Sequence, residues 1–415
     1  VGSEMCIRDS FQEGASASKA IDGDTTSKGW STWASTASTV DPVATFTFDE
    51  AQTITEVKTF FYYDGRASWP KSQTLEYQDE AGEWHGVGTK DGWKIQAGDA
   101  GSGSDGITAA DFHSCTKNIS DYTNQKEVQE CRLSSMWDFN SESEKVQDIQ
   151  SDYLASLWNA GVRGFRMDAV KHIHTDSMKA IKEKFAKKIG KNANDIYWIQ
   201  EVIGNASEAA GIQPSNYVQN GTVTEFGFKS EMNQTFKDKI ANLKGLSDRL
   251  SKDLSSEDAN VFVTIWDTAR NEGALTYKDG AKYQLANAFM LAYDYGTPRL
   301  LSDYKWDVND NGAPGATATS VPDVDMDKAC STNDSDWNCE QRWTSTRGMI
   351  AFRNYVNGTK VADWQDDGGD NIAFSRGAKG FIAINNGKKD KDASYTTSLA
   401  DGEYCLSLIH ISEPT

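Results

Sequence analysis

The chain has 415 residues, which is enough for two or three domains with a sizeable buried core. Its 61 acidic residues outnumber its 42 basic residues, so the net charge is −19. A charge of this sign and size argues against polyanionic partners such as nucleic acid or an anionic membrane surface. No apolar run approaches the roughly 18 residues that a membrane span needs. A neutral partner such as a polysaccharide is compatible with this composition.

The two ends of the chain differ in character from the rest. Residues 1–10 and 405–415 read like translated sequencing-library adapters, so both are left out of the predicted fold. We expect the natural protein to continue beyond both of them. The lack of a signal peptide therefore carries no information about secretion.

Residues 11–96 have the pattern of an all-β sandwich. Short runs of alternating polar and apolar residues stand at 44–48, 57–63 and 74–77, with turn residues between them and no helical period. Residues 97–106 are rich in glycine and are interpreted as a linker.

From residue 107 to 358 predicted helices alternate with short apolar strands, which is typical of a parallel α/β sheet. Helical periodicity covers residues 144–160 and 178–189, and further helices are expected at about 229–243 and 281–293. The predicted strands are residues 164–168, 196–201, 222–226, 261–267 and 296–301. From 359 to 404 short strands return, at 372–375 and 380–384, and predict a small β domain.

Three of these strands end in an acidic residue: Asp168, Glu201 and Asp267. In a (β/α)₈ barrel the carboxyl ends of the strands form the open face, where charged residues perform chemistry. A single acid after a strand is just as often a turn residue that accepts a backbone hydrogen bond. Three such acids together favour one catalytic site.

The segment GFRMDAVKH at 164–172, the IQE strand end at 199–201 and FVTIWD at 262–267 resemble motifs of the α-amylase family, glycoside hydrolase family 13. The resemblance covers roughly residues 107–400. It implies an incomplete (β/α)₈ barrel followed by a small C-terminal β-sandwich. It also implies that Asp168 is the nucleophile, Glu201 the general acid and base, and Asp267 the acid that holds sugar hydroxyls. We expect the crowding of three carboxylates to raise the pKa of Glu201.

The same resemblance assigns substrate-binding roles to Arg166, Lys171 and His172. Arg166 stands two residues before Asp168, so strand alternation points both side chains to one side. Lys171 and His172 match residues on the leaving-group side, although turn residues of this kind are often only solvated.

Calcium is the cofactor that the resemblance implies. Its expected ligands are the Asp138 carboxylate and the main-chain carbonyls of Gln129 and His172. Chloride is a second possible ion in the family, and Arg166 and Arg299 match two of its ligands. Ile265 stands where an asparagine ligand belongs, so we do not expect chloride.

Between the two ends the chain has four cysteines in two close pairs, Cys115 with Cys131 and Cys330 with Cys339. Separations of this kind suit local disulfides, with two pairs of buried free thiols as the alternative, and the spacing does not fit a zinc site. The family resemblance supports the same pairing. We therefore expect an extracellular, secreted protein.

Segments of residues 11–96 resemble the coagulation factor 5/8 type C, or galactose-binding-like, modules that are appended to many glycosidases. The matching stretches are AIDGD at 20–24, FFYYDG at 60–65 and WPKS at 69–72. This resemblance implies a jelly-roll sandwich that binds a second glycan through an exposed aromatic such as Trp69 or Tyr63, with Asp64 or Arg66 on the sugar hydroxyls. Asp22 and Asp24 could hold a structural cation, or only stabilise their own turn.

The sequence departs from the family in two places. The family's first motif should precede residues 111–115, where the sandwich stands instead, and five strands replace eight. A mis-joined assembly explains this, and a genuinely rearranged protein is the alternative. Ile265 and Trp266 replace the asparagine and histidine that normally precede the third acid.

We therefore predict a monomeric, retaining hydrolase of α-1,4-glucans such as starch, without nucleic-acid or membrane partners. The alternatives are an inactive glucan-binding protein, which the two departures favour, and an α-glucan transglycosylase with the same three acids.

Overall fold

The computed structural model describes residues 3–7, 44–48, 72–79, 82–91, 107–271, 273–317, 320–331 and 335–404. The chain divides into two compact units, residues 1–110 and 111–415. Within the described residues no helix is both long and apolar enough to cross a membrane.

The described part of the first unit contains two antiparallel strand pairs. The strands are β1 (Ser3–Ile7) with β2 (Ala44–Phe48), and β3 (Ser72–Gln78) with β4 (Trp84–Asp91). The predicted strands at 44–48 and 74–77 are confirmed. The predicted strand at 57–63 and the candidate residues Asp22, Asp24, Tyr63, Asp64, Arg66 and Trp69 lie outside the described residues.

A five-stranded parallel sheet is the centre of the second unit, and its strands follow one another in chain order. This consecutive order is that of one side of a (β/α) barrel. The strands are β5 (Gly164–Met167), β6 (Tyr197–Gln200), β7 (Thr222–Thr224), β8 (Ala259–Val261) and β9 (Thr297–Pro298). The sheet is followed by an antiparallel three-stranded sheet of β10 (Val361–Asp366), β11 (Asn371–Arg376) and β12 (Gly380–Asn385), which confirms the two strands predicted there.

Helices surround the parallel sheet and bury its apolar side chains. They are α1 (Gln125–Glu130), α2 (Glu144–Asn159), α3 (Thr175–Lys188), α4 (Phe226–Thr235), α5 (Leu246–Leu250), α6 (Trp266–Asn271), α7 (Ala281–Ala292), α8 (Met326–Ala329) and α9 (Thr344–Tyr355). The largest fully buried side chains include Trp198, Tyr217, Phe185, Phe228 and Phe289. The core therefore lies between the strands and the inner faces of the helices.

The predicted strand at 261–267 is wrong over most of its length. Pairing stops at Val261, and the chain then turns into helix α6. The hydroxyl of Thr268 accepts a hydrogen bond from the Ile265 N–H (3.0 Å), which supports the first turn of this helix. Residues 262–265 are buried without strand partners, and three of the four are apolar, so burial alone produced the strand-like pattern.

Strands β7 and β9 end two or three residues earlier than the sequence predicts. Strand β7 stops at Thr224 because the Glu225 carboxylate accepts from the Gly227 N–H (2.7 Å) and caps helix α4. Strand β9 is reduced to Thr297–Pro298, because its partner strand β8 ends at Val261, which pairs with Pro298.

The C-terminal end of helix α7 is capped by arginines from other elements. Arg353 of α9 donates to the carbonyls of Tyr293 (2.8 Å), Leu291 (3.3 Å) and Gly296 (2.6 Å). Arg376 of β11 donates to the Ala292 carbonyl. Positive charge at a helix C-terminus satisfies its free carbonyls and complements its dipole.

We predict that Arg353→Met lowers the free energy of unfolding by about 2 kcal/mol, because several buried carbonyls lose a charged donor. Urea denaturation followed by circular dichroism measures the change. Arg347→Met is the matched control, since Arg347 lies exposed on the same helix. Equal effects of the two substitutions would contradict the capping role.

Candidate active site

The guanidinium of Arg166 joins two of the three candidate acids. Its Nη1 forms an ion pair with Asp168, and its Nη2 lies 2.6 Å from Glu201 Oε1. The Asp168 side chain is 74% exposed, whereas that of Glu201 is 10% exposed. The site therefore places one accessible carboxylate and one buried carboxylate on a single cation.

The turn after strand β5 holds Glu201 from the other side. The Ala169 N–H donates to Glu201 Oε2 (2.9 Å), and the Val170 N–H donates to the Glu201 carbonyl (2.9 Å). Ala169 adopts a left-handed conformation with φ of 49°. This conformation costs an alanine about 1 kcal/mol. It directs the Ala169 N–H at the Glu201 carboxylate, so the hydrogen bond forms at some cost in stability.

The pKa of Glu201 is raised above its ordinary value. Burial is the largest cause, and the charges of Asp168 and Asp267 act in the same direction. The Ala169 N–H and the Arg166 charge oppose the shift. The direction agrees with the sequence prediction, but crowding of the acids is a smaller contribution than burial.

Asp267 lies in the first turn of helix α6 instead of at a strand end, and it is exposed. It is close enough to Glu201 to affect the pKa of that residue. The neighbouring Trp266 is 45% exposed, and its ring centroid lies 4.8 Å from the Arg166 guanidinium carbon. The structure thus brings Asp267 near the other two acids by way of a helix.

Lys171 is buried and His172 is half-buried, and their substrate-binding role stays a prediction. Lys171 Nζ pairs with Glu208 Oε2 (2.7 Å) and lies over the Tyr122 ring, and its side chain is 9% exposed. His172 donates from Nδ1 to the Val128 carbonyl (3.0 Å). Burial lowers the pKa of His172, which favours the neutral ring.

The predicted calcium ligands lie on neighbouring segments. The His172 ring is hydrogen-bonded to the carbonyl of Val128, the residue before Gln129. Asp138 is close enough to that ring to affect its pKa. These residues offer one carboxylate and two carbonyl oxygens, which are hard donors that suit calcium. The Asp138 carboxylate also accepts from His113 Nδ1 (2.6 Å).

The two arginines predicted for chloride lie near Trp266. Arg299 places its guanidinium carbon 5.9 Å from the Trp266 ring centroid, and burial lowers its pKa. Its Nε and Nη2 are buried without a protein partner among the described residues. The Ile265 side chain is buried and has no polar group to offer an ion. The absence of chloride stays a prediction.

Both expected disulfides are present. Cys115 is joined to Cys131, and Cys330 is joined to Cys339. The first disulfide links the segment after residue 111 to the end of helix α1, and the second closes a loop before helix α9.

Sequence reasoning missed two residues that shape the site. Ala169 contributes only a backbone N–H, which no side-chain pattern reveals. Glu208 pairs with Lys171 across 37 residues of chain, and nothing near it in the sequence marks it.

Comparison with known proteins identifies the chain. Residues 3–114 match the F5/8 type C domain family, and residues 361–412 match the C-terminal all-beta domain of alpha amylase. The crystal structure of wild-type alpha-amylase I from Eisenia fetida is 30% identical, with a TM-score of 0.66 over 80% of this chain and 68% of that one. The chain belongs to the α-amylase family. It carries an F5/8 type C module before a partial α-amylase barrel and a C-terminal β domain.

Two curated relatives are longer than the matched region, so this chain matches only part of each of them. The alpha-amylase of Streptomyces violaceus is 34% identical over 299 residues, which are 72% of this chain and 49% of that protein. The alpha-amylase-related protein of Drosophila jambulina is 37% identical over 310 residues, 72% of this chain and 61% of that protein. The chain therefore spans about half to three fifths of the length of these relatives.

We predict that Glu201→Gln makes the protein more stable than the parent at pH 7.5 and has a much smaller effect at pH 4. A raised pKa means that the folded state binds the Glu201 proton more tightly, so stability falls as pH rises above about 4.5. Glutamine resembles the protonated acid and removes this loss. Urea denaturation of parent and variant at pH 7.5 and pH 4 measures the difference in stability. An equal difference at the two pH values would contradict the raised pKa.

Proposed function

We propose that the chain is a retaining hydrolase of α-1,4-glucosidic bonds in starch-like glucans. The observation that carries the proposal is the sharing of one guanidinium by an exposed Asp168 and a buried Glu201. Retention needs carboxyl groups roughly 5 to 5.5 Å apart. Two carboxylates on the terminal nitrogens of one guanidinium are close enough for this separation.

The surroundings of the two carboxylates suit two different roles. Asp168 is ion-paired with Arg166 and open to solvent, so it can attack the anomeric carbon as a carboxylate. The raised pKa of Glu201 favours its protonated form, which donates a proton to the leaving glycosidic oxygen. The bond from the anomeric carbon to that oxygen breaks as the bond to Asp168 forms.

The second half of the reaction restores the enzyme. Glu201, now ionised, takes a proton from water, and the resulting oxygen attacks the same anomeric carbon. The ester bond to Asp168 breaks, and its electron pair returns to the carboxylate. Two displacements at one carbon give net retention. Asp267 would bind hydroxyl groups of the reacting sugar beside them.

The comparisons support a glucan as the substrate. A mutant of the Eisenia fetida alpha-amylase I is known in complex with maltohexaose, and it matches this chain with a TM-score of 0.66 and 30% identity. The two disulfides support an oxidising, extracellular location. The F5/8 type C module would bind a second glycan.

A second candidate function is glucan binding without hydrolysis. Trp266 stands exposed beside Asp267 where an imidazole would bind a sugar hydroxyl, and an aromatic ring stacks on sugars without supporting bond cleavage. Measuring turnover and binding on the same protein separates the two functions.

Calcium would be held by the Asp138 carboxylate with the carbonyls of Gln129 and His172. Its role there would be structural, because it would join the end of helix α1 to the turn that follows Asp168. The proposed chemical steps need only the side chains of this chain.

We predict that the parent releases reducing sugar from maltohexaose and that Asp168→Asn lowers kcat by roughly 10⁴-fold, because the amide cannot attack. Proton NMR of the first product should show the α-anomer. Asp152→Asn, at an exposed acid on helix α2, is the control with unchanged kcat. Binding of maltohexaose by an inactive parent would favour the second candidate, and a β-anomer would contradict retention.

We also predict that calcium raises the thermal unfolding midpoint of the EDTA-treated chain, since it binds only the folded state. Asp138→Asn should reduce this shift strongly. Glu142→Gln is the control, because Glu142 also bonds His113 (2.8 Å) but is outside the proposed ligand set. Equal shifts in the two variants would exclude Asp138 as a ligand.

A further inference from the structure

Helix α6 carries Asp267, and Arg270 lies one turn further along the same helix. The Arg270 side chain is 12% exposed and points into the segment 303–311. Nη1 donates to the carbonyls of Asn309 (3.1 Å) and Asn311 (2.9 Å), and Nη2 lies 3.3 Å from Asp303 Oδ1. One side chain therefore links the helix to three points of this segment.

Aromatic contacts add to these bonds. The Arg270 guanidinium carbon lies 4.8 Å from the ring centroid of Tyr304 and 5.1 Å from that of Trp306. Planar cation and ring contacts of this kind fix the guanidinium in orientation as well as position. The segment itself forms neither helix nor strand, apart from one bridge between Tyr304 and Trp337.

Asp303 extends the linkage to a disulfide-closed loop. Its carboxylate accepts from Trp306 Nε1 (3.2 Å), and its N–H donates to Glu340 Oε2 (2.9 Å). Its carbonyl accepts from the Asn338 N–H (3.0 Å), next to the disulfide-bonded Cys339. The segment to which Arg270 is bonded is thus itself anchored.

We propose that Arg270 is a positioning residue that fixes the helix bearing Asp267 against the segment 303–311 and thereby places the Asp267 carboxylate at the reacting sugar. The functional half of this proposal rests on the proposed glucan hydrolysis. The structural half, that Arg270 holds helix α6 in place, is independent of it. A misplacement of about 1 Å at a catalytic group can cost roughly 100-fold in rate.

A double-mutant cycle with Asp267 tests the functional half. In the full chain, Arg270→Gln should lower kcat for maltohexaose roughly 10- to 100-fold. In an Asp267→Asn background the same change should lower kcat less than about two-fold, because the group that Arg270 positions is already lost. An equal loss in both backgrounds would overturn the proposal. Arg270→Lys should recover only part of the rate, since an ammonium cannot make the forked contacts.

Hydrogen exchange measured by mass spectrometry tests the structural half without substrate. Arg270→Gln should speed exchange in residues 266–271 and 303–311. The matched control is Arg249→Gln, at an arginine of helix α5. Like Arg270, Arg249 donates to one carboxylate, that of Glu231 (2.7 Å), and to two main-chain carbonyls, those of Lys244 and Asn242. Unchanged exchange at 266–271 in Arg270→Gln, or an equal increase there in the control, would overturn the proposal. If the parent does not hydrolyse maltohexaose, the proposed function fails and the exchange comparison still decides the role of Arg270.

Discussion

The positive charge of Arg166 is the constraint on which the site depends. Two carboxylates would repel each other at this spacing, and the guanidinium between Asp168 and Glu201 makes their approach possible. The Arg166 guanidinium donates a hydrogen bond to Asp168 and lies in close ionic contact with Glu201, so one positive charge faces both acids. The two acids differ in exposure, since Asp168 is accessible to solvent whereas Glu201 is buried and has a raised pKa.

The surrounding fold supplies this arrangement locally. Parallel pairing of β5 with β6 places Asp168 and Glu201 at the same edge of the sheet, and the left-handed turn at Ala169 aims an N–H at Glu201. Trp266 lies over the Arg166 guanidinium from the side of helix α6. Asp267 is therefore carried by a helix, whereas Asp168 and Glu201 follow strands. Its position depends on the contacts that hold helix α6, such as those of Arg270.

How well each acid could be placed from the sequence depends on the element that carries it. Asp168 and Glu201 could be placed from the sequence, because short apolar runs that end in an acid pair in parallel and share an edge. Asp267 was also predicted to lie near them, but the element that carries it was not, since the buried residues 262–265 look the same whether they pair as a strand or pack as an irregular segment before a helix. The roles of Ala169 and Glu208 depend on a backbone N–H and on an ion pair between distant residues, neither of which leaves a local pattern.

The most direct test of this account is the pKa of Glu201, measured by NMR on protein labelled with ¹³C at glutamate carboxyl groups. The Glu201→Gln variant identifies the signal by its loss. We predict a pKa above the ordinary value in the parent, and a still higher one in Arg166→Met, because the opposing positive charge is removed. An ordinary pKa in the parent, or no further rise in Arg166→Met, would contradict the central role of the shared guanidinium.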